Sequence, residues 1–113
     1  MWISCHANNI ESTDVIYYDY GAGPMIVFMA GTHGNEPAGS VALEALLPYF
    51  EIVASNIGLT IRVIPRINEW GLQNGRREDG MGNDVNRGYG EVGGGQLSEI
   101  VKSLIEPAIL VVD

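Results

Sequence analysis

Residues 25–50 read MIVFMAGTHGNEPAGSVALEALLPYF, and this stretch decides the fold. The apolar run Met25 to Ala30 has the length of a buried strand rather than a helix. From Pro37 the period changes. Ala38, Val41, Ala42, Ala45, Leu46 and Tyr49 recur at helical spacing, with Pro37 suited to a first helical turn and Pro48 expected to end the helix. Between strand and helix lies AGTHGNEPAG (residues 30–39), a glycine-rich turn carrying His33 and Glu36. A strand, a tight turn and a helix in that order begin an α/β fold, in which ligands collect at the carboxyl ends of strands.

Upstream, Val15 to Tyr20 is a β-rich run closed by Gly21-Ala22-Gly23-Pro24, which predicts a hairpin or neighbouring strands with the 25–30 run. Downstream, Gly58 to Pro65 reads as another strand. A polar, glycine-rich stretch from about Asn68 to Gly95 has little periodicity, and so long a structureless segment belongs in a compact domain only where it serves a site. Gln96 to Ile105 is a second amphipathic helix with Leu97, Ile100, Val101 and Leu104 on one face, and Ile109 to Asp113 begins a buried strand. The expectation is one α/β domain over residues 1–113, with a mostly parallel or mixed sheet flanked by helices.

The composition fits a folded soluble protein: 113 residues, 46% hydrophobic and 18% charged. A formal net charge of -8 with six basic residues excludes non-specific binding to nucleic acid or an anionic membrane. Arg66, Arg76, Arg77 and Arg87 therefore stand out, clustered in one part of an acidic chain. The single cysteine, Cys5, rules out an internal disulfide and a cysteine-rich zinc module, and reads as a small packed residue. The first residues, MWISCHANNIESTD, lack the basic and apolar regions of a signal peptide, and no run approaches the ~20 apolar residues of a membrane helix. The expected setting is cytoplasmic, with no membrane and no nucleic acid.

H-x-x-E at residues 33–36 has two readings. It is half of a metal site, since imidazole nitrogen and carboxylate oxygen are zinc ligands, or it is a loop histidine beside a helix-capping glutamate. Its position in a glycine-rich turn between strand and helix favours the first, with Gly31 and Gly34 allowing a sharp backbone. The arginines likewise either fork onto carboxylates and a developing oxyanion, or pair with Glu69, Glu78, Asp79 and Asp84 as solvated loop charges. His6 has no matching motif and reads as incidental. GYGEVG at 88–93 fits G-x-G-x-x-G only formally, because no strand precedes it.

Taken together, HGNEPAG (33–39), P-x-x-N-x-x-G (65–71), Arg77 and D-V-N-R (84–87) resemble the zinc carboxypeptidase superfamily. Its succinylglutamate desuccinylase/aspartoacylase and murein-peptide amidase branches are included. The resemblance covers about residues 25–113 and implies the amino-terminal part of a zinc-carboxypeptidase-like catalytic domain, apparently truncated. It matches His33 and Glu36 to the first two zinc ligands and Arg77 to the arginine that polarises the scissile carbonyl, with Arg76 the second candidate. Asn86 and Arg87 match the pair gripping the substrate carboxylate. Asn68 and Gly71 match an N-P-x-G turn, with Glu69 in place of its proline. The family's third zinc ligand, a histidine in a D-x-H context, and its general-base glutamate fall beyond Asp113.

The resemblance implies a zinc-dependent hydrolase of amide bonds, acting on a small peptide or N-acyl amino acid with a free carboxylate. Two rivals stay open. One is a non-catalytic fragment or pseudoenzyme that keeps the half-site and the carboxylate-binding loop, in which unpaired strands favour homo-oligomers or partner pairing. The other is a metal-free binder of acidic ligands.

Overall fold

β-Strand 1 (β1, Tyr18–Gly21) and β2 (Met25–Met29) precede the long helix α1 (Ala38–Ile57), β3 (Thr60–Ile64) and the short helix α2 (Glu69–Asn74). A 3-10 turn at Val85–Gly88, helix α3 (Gly95–Ile105) and β4 (Ala108–Val112) complete the order. The structure, a computed structural model, describes residues 15–88 and 95–113; the side chain of Arg87 lies outside it, as do Cys5, His6 and most of GYGEVG. One mixed sheet has the order β1-β3-β2-β4, with β2 parallel to β3 and β4, and β1 antiparallel to β3. The mixed sheet flanked by helices is thus the architecture expected.

β2 sits at the centre because MIVFM can be apolar on both faces. Val27 and Met29 face α3 in a core with Val15, Ile64, Ile67, Val85, Leu97 and Val101. On the other face Tyr20, Ile61, Val63 and Ala54 pack with Leu43, Leu47 and Phe50 of α1, and the rings of Phe28 and Phe50 stand 4.7 Å apart. The expected α3 stripe is found: Leu97 and Val101 are fully buried, with Ile100 and Leu104 packed beside them.

Several expectations need correction. β1 and β2 are not a hairpin: β3 lies between them, and β1 pairs with β3 through the opposite charges Asp19↔Arg62. Helix α1 does not stop at Pro48 but runs nine residues farther, to Ile57, and is closed by a left-handed Gly58. The residues around Pro48 are largely solvent-facing, so a carbonyl deprived of its helical partner can be met by water. Its inward stripe is Ser40, Leu43, Leu47, Phe50 and Ala54, whereas Val41, Leu46 and Tyr49 point outward. A helix apolar nearly all round offers two stripes, and the one that turns inward is the one whose Phe50 meets Phe28 of the sheet. The 68–95 stretch is not structureless, since it contains α2 and the 3-10 turn.

β4 forms where a strand was expected and pairs in parallel with β2, but it is exposed rather than buried. Ile109 is 70% and Leu110 53% accessible. Helix α1 is also long and apolar enough, by length and composition, to cross a membrane, with a hydropathy of 1.2, which corrects the expectation that no run comes close.

Arg62 joins the layers. Its Nε and Nη2 donate to the two carboxylate oxygens of Asp19 at 2.8 and 2.9 Å, its Nη1 donates to the Leu104 carbonyl at 2.8 Å, and the guanidinium lies 4.7 Å from the centre of the Tyr17 ring. The hydrogen bond to Asp19 holds its pKa above the ordinary arginine value, against the desolvation of its site. Lysine cannot reproduce this fork. Arg62→Lys is expected to lower unfolding free energy by about 1–3 kcal/mol in urea denaturation, and an unchanged midpoint would show that the network contributes nothing.

Candidate functional site

The turn after β2 holds its shape through hydrogen bonds that prolong the sheet. Ala30 N–H donates to Ile64 O, Ile67 N–H to Ala30 O, and Asn68 N–H to Gly31 O at 2.8 Å. Gly31 has φ +80°, a conformation that L side chains resist, as expected for this turn. Gly34 is needed for a different reason. It lies against the α2 turn, where a Cβ would overlap the backbone of Gly71 and the carbonyl of Arg76.

Asn68 is the tie. Fully buried, it caps α2 by accepting from Gly71 N–H at 2.9 Å, while its Nδ2 lies 3.3 Å from Thr32 O, 3.3 Å from Arg77 O and 2.9 Å from Glu78 O. One side chain thus fixes the His33 turn, α2 and the arginine loop relative to each other. Buried Asp79 closes the next turn, its Oδ1 accepting from the N–H groups of Met81 and Asn83.

These loops bring His33, Glu36, Arg77 and Asp84 together at the carboxyl end of β2. His33 Nε2 is 2.9 Å from Asp84 Oδ1, and His33 Nδ1 is 3.4 Å from Glu36 Oε2. Asp84 also accepts from Asn86 N–H at 3.1 Å. Arg77 reaches Glu36 Oε2 through Nη1 and Asp84 Oδ2 through Nη2, both at 3.5 Å. Desolvation pushes the Asp84 carboxyl up, but the His33 hydrogen bond, Asn86 N–H and the charges of His33 and Arg77 outweigh it and hold the group below the usual carboxylate range.

With Nε2–H donated to Asp84, His33 presents the Nδ1 lone pair to a carboxylate oxygen. Two acceptors at this distance repel unless a proton or a metal ion stands between them. The donors of a tetrahedral zinc, each at ~2.05 Å, lie roughly 3.3–3.4 Å apart, so the spacing fits a shared zinc ion. Among the described residues no group of three His, Cys, Asp or Glu side chains is placed to hold a metal, and His33 with Glu36 supplies two donors.

His33, Glu36, Asn86 and Asp113 line one recess of about 580 Å³, walled by Phe28, Leu43 and Val112. Desolvation pushes the Asp113 carboxyl up, against the charge of His33. Arg76 lines a different recess, with Trp70, Glu78 and Asp79. Arg77 is therefore the arginine that reaches the cluster. Arg66 is a structural pair with Glu69 and Glu44, as the solvated-charge reading holds. Arg87 places its backbone in the 3-10 turn beside Asn86. Asp84 had no assigned role from sequence, although its place two residues before Asn86 was the available signal.

No family model and no curated protein matches the chain. Solved structures do. A succinylglutamate desuccinylase/aspartoacylase from Rhodobacter sphaeroides superposes with a TM-score of 0.69 at 20% identity, over 87% of this chain and 32% of the other. An aspartoacylase family protein from Mesorhizobium loti gives a TM-score of 0.71 at 23% identity, over 87% and 33%. A Shewanella amazonensis protein provisionally described as a metallopeptidase gives 0.65 at 22% identity, over 84% and 41%. The likeness shows a common, zinc-carboxypeptidase-like fold, and the chain spans about a third of the length of the first two.

Replacing Asn68 by Ala would strand three carbonyls and the Gly71 N–H without that partner. A loss of ~2–4 kcal/mol is expected in denaturant unfolding, and a loss below ~0.5 kcal/mol would show that the tie is dispensable.

Proposed function

We propose that this chain supplies metal-binding and substrate-orienting residues of a zinc-dependent hydrolase that cleaves an amide bond in a small carboxylate-bearing substrate. Carboxypeptidase, peptide amidase and N-acyl amino acid deacylase chemistry all fall within this reading. The observation that carries it is the 3.4 Å approach of His33 Nδ1 and Glu36 Oε2, with Asp84 fixing the opposite nitrogen. The common fold with a desuccinylase/aspartoacylase supports it.

Zinc, when bound by His33 and Glu36, supplies a Lewis acid for the scissile carbonyl and an acidified water. Asp84 orients His33 by accepting from Nε2–H, as carboxylates commonly do behind metal-binding imidazoles. Arg77, already at the cluster, offers its guanidinium to the oxygen on which charge develops. Asn86 lines the recess. With Arg87, it grips the carboxylate of a small peptide or N-acyl amino acid and so sets the register of the bond to be cut. The apolar wall of Phe28, Leu43 and Val112 limits water on one side. A cytoplasmic setting suits such small substrates.

A second reading is favoured by one observation: only two metal donors converge among the described residues. On that reading the chain is a non-catalytic relative that binds zinc weakly and does not turn over.

Zinc titration of the purified chain is expected to show weak, saturable binding that Glu36→Gln abolishes and Asp84→Asn weakens by about 10–100-fold. Binding indifferent to both variants would sink the assignment of ligands. Assay of the zinc-supplemented chain on N-acyl amino acids and short peptides separates the two readings. Turnover lost in Arg77→Gln supports the hydrolase, and zinc binding without turnover supports the non-catalytic chain.

A further inference from the structure

We propose that the second recess of the arginine loop, apart from the His33 cluster, is a binding site for a free zwitterionic amino acid with an apolar side chain. Trp70, Arg76, Glu78, Asp79, Gly80 and Gly82 line it. Its volume of about 370 Å³ lies at the small end of the roughly 300–1,000 Å³ usual for ligand pockets. None of these residues is a metal or substrate residue of the function proposed above, and the inference does not depend on that function.

Two consecutive arginines are divided between two places. Arg77 reaches Glu36 and Asp84, whereas Arg76 lines this recess together with Glu78. Arg62, Arg66 and Arg77 each have a carboxylate partner. Arg76 and Glu78 do not pair with each other, and among the described residues neither side chain has a hydrogen bond or ion pair. Opposite charges that line one small recess without meeting leave a fork of N–H donors and a carboxylate acceptor open to a ligand. A zwitterion satisfies both: its carboxylate accepts from the guanidinium and its ammonium donates to Glu78. A ligand with a single charge satisfies one and faces a like charge at the other.

Trp70 sets the rest of the ligand. Half-buried on α2, it supplies an aromatic wall against which an apolar side chain packs. Gly80 and Gly82 add no side chain to the mouth, and a Cβ at Gly82 would meet only open space. The frame is held from within. Buried Asp79 closes its turn by accepting from Met81 and Asn83 N–H, and Asn68 Nδ2 holds the Glu78 carbonyl. Asp79 is thus occupied with the turn, so Glu78 is the acceptor left for the ligand. Arg76 is exposed, so water competes for it and binding is weak.

The test is titration of the whole chain, kept metal-free with a chelator, followed by amide shifts in the nitrogen–proton correlation spectrum. The probes are L-phenylalanine, phenylpropanoate, which lacks the ammonium, and phenethylamine, which lacks the carboxylate. Saturable shifts centred on residues 70–82 are expected with phenylalanine, and binding about three- to tenfold weaker with either analogue. Arg76→Gln is expected to weaken phenylalanine without weakening phenethylamine, and Glu78→Gln to weaken phenylalanine without weakening phenylpropanoate. A general loss of folding would not produce that crossed pattern. No saturable shift, shifts centred on the His33 turn, an analogue that binds as well as phenylalanine, or a variant that weakens both analogues alike overturns the site. Because metal is absent throughout, each of these results leaves the zinc-site reading to its own titration.

Discussion

Everything distinctive about this site depends on one buried amide. Asn68 contributes a side chain with two donors and one carbonyl acceptor, and all are engaged: Gly71 N–H on one side, and the carbonyls of Thr32, Arg77 and Glu78 on the other. A buried polar group is costly unless satisfied, so the site can be built this way only if two separate loops and helix α2 arrive together. The reward is positional. His33 and Glu36 come from the turn after β2, Arg77 and Asp84 from the loop after α2, and none is covalently near the other pair. The amide converts two loops into one surface.

The loops can meet only because their backbones touch. Gly34 lies against Gly71 with no room for a Cβ, and the sheet-like hydrogen bonds from Ala30 to Asn68 carry the rigidity of β2 and β3 out to the site. Within that frame, the charges are arranged in a chain: Glu36, His33, Asp84, with Arg77 spanning the outer two. Such a chain makes each group's state depend on the others. Asp84 is favoured in its ionised form by its neighbours, and so presents an acceptor to the Nε2 side of the imidazole.

Much of this was legible in the sequence because it is local. The strand-turn-helix of residues 25–50 announces itself by a change of period, and His33 and Glu36 are only three residues apart. Gly31 does adopt the positive φ its place in the turn suggested. What failed was non-local. Whether β1 lay beside β2 or β3 depended on Asp19 finding Arg62 across 43 residues. Which stripe of α1 turned inward depended on the sheet it met, where Phe50 found Phe28. Asp84 was visible as part of a motif but not as the partner of His33, since that contact spans 51 residues. Pro48 misled because the rule it follows assumes a carbonyl with no access to water.

β4 adds a colloidal dimension. Its residues Ile109, Leu110, Val111 and Val112 bear no charge and are 37–70% accessible, and among the described residues the strand pairs only with β2. Its other edge offers peptide groups of the kind that strands of separate molecules use to join. The opposing force is the net charge of -8, which keeps identical chains apart over about a Debye length. Added salt shortens that reach while leaving the apolar edge as it was. Any joining of chains through that edge would therefore be weakest in dilute buffer, where the charge reaches farthest.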